Sequence, residues 1–402
     1  MSVSTGSFDV DGFIAVQAEN IRRALGTDKA IIAVSGGVDS TTCAALTRQA
    51  IGRNLVCVFI DTGFMRRGEP ERVKRSLAKP PLRLPLKIVR AQKRFVENLH
   101  GLIDAEEKRK KFRETFYMTF ADAAERHGCK WLVQGTIAPD LIETEGGIKT
   151  QHNVLEQIGI NPEQRYGFKV IEPLASLYKP QVRMLSRRLG FAEETSERQP
   201  FPGPGLSVRC VGAVSYTKLA QLKAATAIVE KALKDVGAQQ YFAAVVENEP
   251  HEGPEAAELA RSLSRLLGIQ EDQLKMHILS TLATGAVAGR RAYGRMTGVT
   301  LMPTLRETAD EILKRSESIC RGFITANPQV TRLLLEIKSL RKKRYAVIVR
   351  VVKTDDFLTA TAAMMKWTDL TALSSRILRN CKQVSSVYYD LTPKPPATIE
   401  FE

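Results

Sequence analysis

Ser35-Gly36-Gly37-Val38-Asp39-Ser40 is the stretch of this chain whose residue types are best suited to chemistry. Paired glycines let the backbone approach an anion without a Cβ in the way, and two serine hydroxyls add donors. The segment stands between an apolar run, Lys29 to Val34, and a helical stretch from about Asp39 to Ala50. A strand-to-helix turn there aims backbone N–H groups and the positive end of a helix dipole at one point, an arrangement that suits phosphate oxygens. Asp39 is the odd member, because a carboxylate beside a phosphate is repulsive unless a cation separates them. That makes Asp39 a candidate Mg²⁺ ligand. The spacing fits neither G-x-x-x-x-G-K-[ST] nor G-x-G-x-x-G. A plain turn closed by a Ser or Asp cap is the competing reading.

Other segments carry candidate groups. Asp140 and Glu143 are three apart, so one helical turn would set both on one face. Lys108, Arg109 and Lys110 would ordinarily be a solvated helix face or a nucleic-acid patch. The turn Gln199 to Gly205, QPFPGPG, is stiffened by three prolines and opened by two glycines, as a domain hinge or a fixed backbone edge would be.

SGGVDS resembles the PP-loop of the ATP pyrophosphatases, which hold the β and γ phosphates and split ATP into AMP and pyrophosphate. FIDTGFMRRGE (Phe59 to Glu69), EEKRKKF (Glu106 to Phe112), QGTIAPDLIE (Gln134 to Glu143), IKTQHN (Ile148 to Asn153), RQPFPGPGL (Arg198 to Leu206) and KPPATIEFE (Lys394 to Glu402) follow in the order found in GMP synthase. The resemblance covers nearly all of residues 15–210 and about the last sixty. It implies ATP-dependent amination of XMP to GMP through an adenylyl-XMP intermediate, with ATP and Mg²⁺ as cofactors and ammonia as second substrate. It assigns Ser35, Gly36, Gly37, Val38, Asp39, Ser40, Asp61, Gly135 and Thr136 to ATP. Asp140, Glu143, Lys149, His152 and Lys179 become candidate catalytic groups. Arg109, Pro202, Gly203, Gly205, Lys394, Thr398, Ile399 and Glu400 become candidate XMP contacts, Arg109 because a guanidinium can grip phosphate bidentately. Residues 136–166 would form a lid, and the C-terminal part a dimerisation domain, hence a homodimer.

These groups need a scaffold, and the pattern supplies one. Short β-branched runs alternate with amphipathic stretches: strands at Lys29 to Val34, Leu55 to Ile60, Leu86 to Val89, Lys130 to Gly135 and Phe168 to Leu174, and helices at Ala105 to His127 and Lys179 to Leu189. The expected fold is α/β, a doubly wound parallel sheet over residues 1–202 of the adenine nucleotide alpha hydrolase-like kind that the resemblance implies. A smaller α+β domain is expected over residues 203–402. There, helices are expected at Tyr216 to Val236, Ala256 to Leu267 and Thr304 to Cys320, and a strand at Arg344 to Val352. Residues 297–343, ending in the basic Arg341 to Arg344, read as an insertion.

The chain departs from the family pattern at Gln151-His152, at Gln199, at Lys179-Pro180-Gln181 and across AVAGRRAYGR, Ala286 to Arg295. It starts directly in the synthetase portion, so ammonia is expected from solution or from a separate glutaminase subunit.

With 402 residues, 44% hydrophobic and 26% charged, the chain has the composition of a two-domain globular protein. No apolar run reaches about 18 residues and the N-terminus lacks a signal core, so a cytoplasmic protein with no membrane partner is expected. The six cysteines form no C-x-x-C pair. The net charge of +15 suits polyphosphate ligands as well as nucleic acid, and nucleic acid is not the expected partner. Two rival readings remain at this level: a PP-loop tRNA-modifying enzyme, which would need paired cysteines, and a non-catalytic nucleotide-binding paralogue.

Overall fold

The computed structural model describes residues 8–80, 82–139, 161–191, 201–251, 254–287, 290–303, 305, 309–340, 343–354 and 358–402. The chain divides into two compact units, Met1–Asn98 with Arg109–Gln199, and Leu99–Lys108 with Pro200–Glu402.

The first unit is built on five parallel strands, β1 (Lys29–Ala33), β2 (Leu55–Asp61), β3 (Leu86–Arg90), β4 (Cys129–Val133) and β5 (Lys169–Ile171), in the order β3-β2-β1-β4-β5. The central strands are buried along nearly their whole length, which explains why KAIIA and LVCVFID read as continuous apolar runs and not as alternations. The opening helix α1 (Val10–Leu25) is capped by Asp9, whose carboxylate accepts the Gly12 N–H at 2.9 Å, and it buries Ile14, Ala18, Ile21 and Leu25 on one stripe. Helix α2 (Val38–Ile51) ends at Gly52, whose φ of 56° is open to glycine. From β1 the chain fills one side of the sheet through β2 and β3, then crosses to the other side for β4 and β5. The reversal lies between β1 and β4, and crevices at the carboxyl ends of strands flanking such a reversal are where ligands bind in open α/β sheets.

The second unit holds an eight-stranded mixed sheet: β6 (Gln240–Glu247), β7 (Pro250–His251), β8 (Leu274–Val287), β9 (Arg290–Leu301), β10 (Val330–Ser339), β11 (Tyr345–Lys353), β12 (Thr361–Ala362) and β13 (Val384–Asp390). Its order is β12-β11-β13-β10-β9-β8-β7, with β6 on β11. Phe242, Ala244, Val246, Leu279, Met296, Leu334, Ile348 and Phe401 belong to one core cluster. Residues 297–343 supply the end of β9, helices at Ala309–Lys314 and Ser316–Ala326, and all of β10. β10 is an interior strand, paired with β9 on one side and β13 on the other. Its sequence, VTRLLLEIKS, is rich in good helix formers, and the pairing with two neighbours overrides that preference.

Candidate functional site

At the carboxyl end of β1 the turn closes on itself through serine. The Ser40 hydroxyl accepts the Ser35 N–H at 3.2 Å and meets the Ser35 hydroxyl at 3.0 Å, while Ser35 Oγ accepts the Gly37 N–H at 3.3 Å. Gly36 has φ of 82°, and a Cβ there would lie 2.8 Å from Val73, so glycine is required twice over. Gly37 is the N-cap of α2 and supplies no side chain to satisfy the first-turn amides. The end of a 14-residue helix thus presents its dipole and N–H groups without a built-in carboxylate or hydroxyl cap.

Asp39 lies in that first turn. Its Oδ2 accepts from Lys179 Nζ at 2.5 Å, with the two side chains 29% and 42% exposed. Its Oδ1 is buried and has no hydrogen-bond partner among the described residues. An orphaned carboxylate oxygen beside an uncapped helix start fits a hard, oxygen-seeking cation such as Mg²⁺. Lys179 opens the helix Lys179–Arg188; Pro180 sits where proline is tolerated and Gln181 Oε1 accepts the Tyr178 N–H at 2.8 Å, so the departure at 179–181 leaves the helix start intact.

Across the reversal, Gly135 follows β4 and abuts the same turn. A Cβ on it would lie 3.1 Å from both N and Cα of Ser40. Thr136 is buried and donates to Glu172 Oε1 at 2.5 Å. Asp61, at the end of β2, has both oxygens engaged: Oδ1 by the Gly63 N–H at 3.1 Å and Oδ2 by Gln92 Nε2 at 2.6 Å. It shapes the loop after β2. Asp140, Glu143, Lys149, Gln151 and His152 lie outside the described residues, as do Gln199 and most of the expected lid.

In the second unit, the tail from Lys394 to Phe401 runs beside β8. Thr284 N–H donates to Phe401 O at 2.9 Å, Ala286 N–H to Pro396 O at 2.6 Å, and Lys394 exchanges backbone bonds with Ala360 at 2.7 and 3.0 Å. Gly285 permits this approach, since a Cβ there would be 3.1 Å from Pro396 O and 2.7 Å from Thr331. Pro202, Gly203 and Gly205 form a turn closed by Gly205 N–H to Pro202 O at 2.8 Å, and Arg209 follows directly. Arg209 donates to Glu400 through Nε at 2.9 Å and Nη2 at 2.8 Å. The proline turn and the tail, 191 residues apart in sequence, are thereby joined. Below the tail, Arg332 and Arg350 both reach Asp390 Oδ2, at 2.9 and 2.6 Å, all three side chains being fully buried. Burial and the neighbouring Arg350 push Arg332 down to about 9, against the pull of Asp390. Burial alone would raise Asp390, but Arg350, Arg332 and Thr392 outweigh it and hold the carboxyl below its usual range.

Residues 329–401 match the GMP synthase C terminal domain family. Over 397 residues, 98% of this chain and 100% of the relative, the chain is 41% identical to the B subunit of the glutamine-hydrolyzing GMP synthase of Sulfurisphaera tokodaii. The same protein of Saccharolobus solfataricus is 40% identical over 398 residues, and that of Methanopyrus kandleri 38% over 395, each covering 98% of this chain and all of the relative. The chain belongs to the family of GMP synthase B subunits.

In this GMP synthase family member the basic run on the helix Ala105–His127 is not a solvated face throughout. Lys108 and Arg109 are buried, whereas Lys110 and Lys111 are exposed. Lys108 Nζ donates to Cys210 O at 3.1 Å and Gly212 O at 2.9 Å and pairs with the Glu402 carboxylate, which also accepts the Gly212 N–H at 2.8 Å. Lys218 fastens the same loop through Val211 O, Ala213 O and Glu247. Sequence reasoning missed Arg209, Arg332, Arg350 and Asp390. A signal existed for two of them: an arginine inside the apolar run AVIVRVV and an aspartate after VYY, since a buried charge requires a partner.

Proposed function

We propose that this chain carries the ATP-driven step of GMP formation, with XMP as acceptor and ammonia as nitrogen donor. The supporting observation is the glycine-opened, uncapped start of α2 at the sheet's reversal point, with the spare oxygen of Asp39 beside it, in a chain of this family. The backbone N–H groups of Gly36 to Ser40 hold the β and γ phosphates of ATP. Mg²⁺ held by Asp39 Oδ1 would neutralise charge between that carboxylate and the phosphates. Lys179, from its helix start, keeps Asp39 oriented and offers a second positive charge to the departing pyrophosphate. The O2 oxygen of XMP attacks the α-phosphorus, the α–β phosphoanhydride breaks, and pyrophosphate leaves. Ammonia then adds at C2 and AMP departs with the former O2, giving GMP. Lys394, Ile399 and Glu400 of the tail, the turn at Pro202, Gly203 and Gly205, and Arg109 bind XMP in this reading. Asp140, Glu143, Lys149 and His152 serve the ammonia and adenylyl steps.

The ammonia comes from a separate glutamine-hydrolysing subunit, and the chain works as a cytoplasmic homodimer. No described helix is long and apolar enough to cross a membrane. A tRNA-thiolating role is disfavoured, because all six cysteines are buried and burial raises Cys57 to about 12 and Cys129 to about 11. Purified protein given XMP, Mg·ATP and ammonium should lose the XMP absorbance and release AMP and pyrophosphate in equal amounts. Glutamine in place of ammonium should support no turnover by this chain alone. Release of ADP would refute the scheme.

A further inference from the structure

The tail assigned above to XMP rests on charges that no sequence motif marks. Arg332 Nη2 donates to Glu400 O at 2.6 Å and to Thr398 Oγ1 at 3.0 Å, and Arg350 Nη2 donates to Thr398 O at 3.0 Å. Asp390 Oδ2 holds both guanidinium groups, and its Oδ1 accepts the Thr392 N–H at 2.9 Å, fixing the carboxylate. The Thr398 hydroxyl is turned inward, 2.6 Å from Thr284 Oγ1. That hydroxyl is thus engaged by the protein, and Thr398 shapes the tail.

The balance of charge points to a ligand. Arg209, Arg332 and Arg350 face Asp390 and Glu400, so three guanidinium groups meet two carboxylates. Arg209 Nη1, Arg332 Nε and Arg350 Nε are buried and have no hydrogen-bond partner among the described residues. A net positive charge held in a low-dielectric interior is costly by itself and attracts an anion at the nearest surface. A nucleoside monophosphate on the tail is such an anion.

We infer that Arg332, Arg350 and Asp390, with Thr284, are positioning residues for XMP recognition, acting through the backbone of Thr398 to Glu400. This rests on the reading of the tail as the XMP site. Asp390→Asn separates positioning from simple attraction. It adds positive charge, so attraction alone would tighten XMP binding, whereas loss of the shared carboxylate unfixes both guanidinium groups and loosens the tail. The wild-type chain is first assayed with XMP, Mg·ATP and ammonium; failure there is failure of the proposed function, not of this inference. With turnover established, Asp390→Asn should raise KM for XMP at least tenfold, leave KM for ATP within twofold, and speed amide hydrogen exchange at Thr398 to Phe401. Thr284→Val should do the same to a smaller extent, about threefold in KM for XMP, and Thr284→Ser should restore it. Should Asp390→Asn fail to fold, the Thr284 pair decides. An unchanged or lower KM for XMP, unchanged exchange in the tail, or an equal rise in both KM values would overturn the inference.

Discussion

Arg209 and Glu400 form a forked pair, two nearly parallel hydrogen bonds of 2.8 and 2.9 Å, with the guanidinium 1% exposed and lying 4.0 Å from the centroid of the Phe242 ring. A planar fork on a planar carboxylate is a geometry that lysine cannot reproduce. Arg209→Lys should therefore destabilise the second unit by roughly 1–3 kcal/mol. Urea unfolding followed by tryptophan fluorescence would measure it. Arg209→Met should cost more, because the Glu400 carboxylate would keep its charge after losing both guanidinium hydrogen bonds, retaining the one from Gln240 at 3.2 Å.

Asp39 makes the opposite case, a pair that matters little for stability. Its contact with Lys179 is partly exposed, and such pairs contribute about 0–1 kcal/mol. Asp39→Asn should leave the melting temperature within a degree or two. Turnover should fall by about two orders of magnitude or more, as when one preorganised electrostatic contact is removed. Titrating Mg²⁺ at fixed ATP should show the variant's residual activity saturating at a higher concentration than wild type.

Gly135→Ala tests whether the segment after β4 must press against the turn Ser35 to Ser40, proposed to hold the phosphates of ATP. The new methyl would stand 3.1 Å from backbone atoms of Ser40, which cannot swing aside as a side chain would. Overpacking of this kind costs about 1–3 kcal/mol. The turn must shift to relieve it, so KM for ATP should rise severalfold more than KM for XMP. Steady-state kinetics with each substrate varied in turn would reveal an equal rise, contrary to this expectation.

His277 gives the molecule a pH dependence in mild acid. Burial lowers its pKa below the ordinary 6.5, Lys275 adding to this and Glu336 opposing it, and the ring nitrogen Nε2 sits 2.5 Å from the Tyr388 hydroxyl. The unfolded chain then binds the proton first. Stability should be level above pH 6.5 and decline as the pH falls below it toward the folded-state value, with a slope of at most about 1.4 kcal/mol per pH unit. Asp390 acts in a lower window: its folded pKa is depressed, so its contribution is complete above the ordinary carboxylate pKa and is lost as pH falls through the folded value. His277→Phe should flatten the first decline and leave the second. Thermal melts carried from pH 8 to well below the ordinary carboxylate value of 3.8 would separate the two.

How much was legible in the sequence follows from which interactions are local. β1 to β5 and α2 are continuous apolar or amphipathic runs, so periodicity finds their ends within a residue or two, except that β5 stops at Ile171, three residues short of the expected Leu174. The turn proposed to hold phosphate is six consecutive residues, and that proposal rests on backbone geometry that glycine and serine advertise. The hairpin β8–β9 and strand β10 are different. Leu274–Val287 and Val330–Ser339 contain leucines, lysines and alanines that suit a helix, and strand pairing makes them extended, β8 with its hairpin partner β9 and β10 with the more distant β9 and β13. The same holds for Lys179, Arg209 and Arg332, whose partners are 140, 191 and 58 residues away.

Lys108 and Lys218 spend their charge on the backbone of a single loop, 210–213, deep in the second unit. Their amines are consequently shielded from any water-borne acylating reagent, although Lys110 and Lys111 stand open on the helix that also carries Lys108. Mass spectrometry of the labelled protein thus has an internal gauge: modification at Lys108 or Lys218 marks molecules in which this loop has come undone, whereas modification at Lys110 marks only exposure to the reagent.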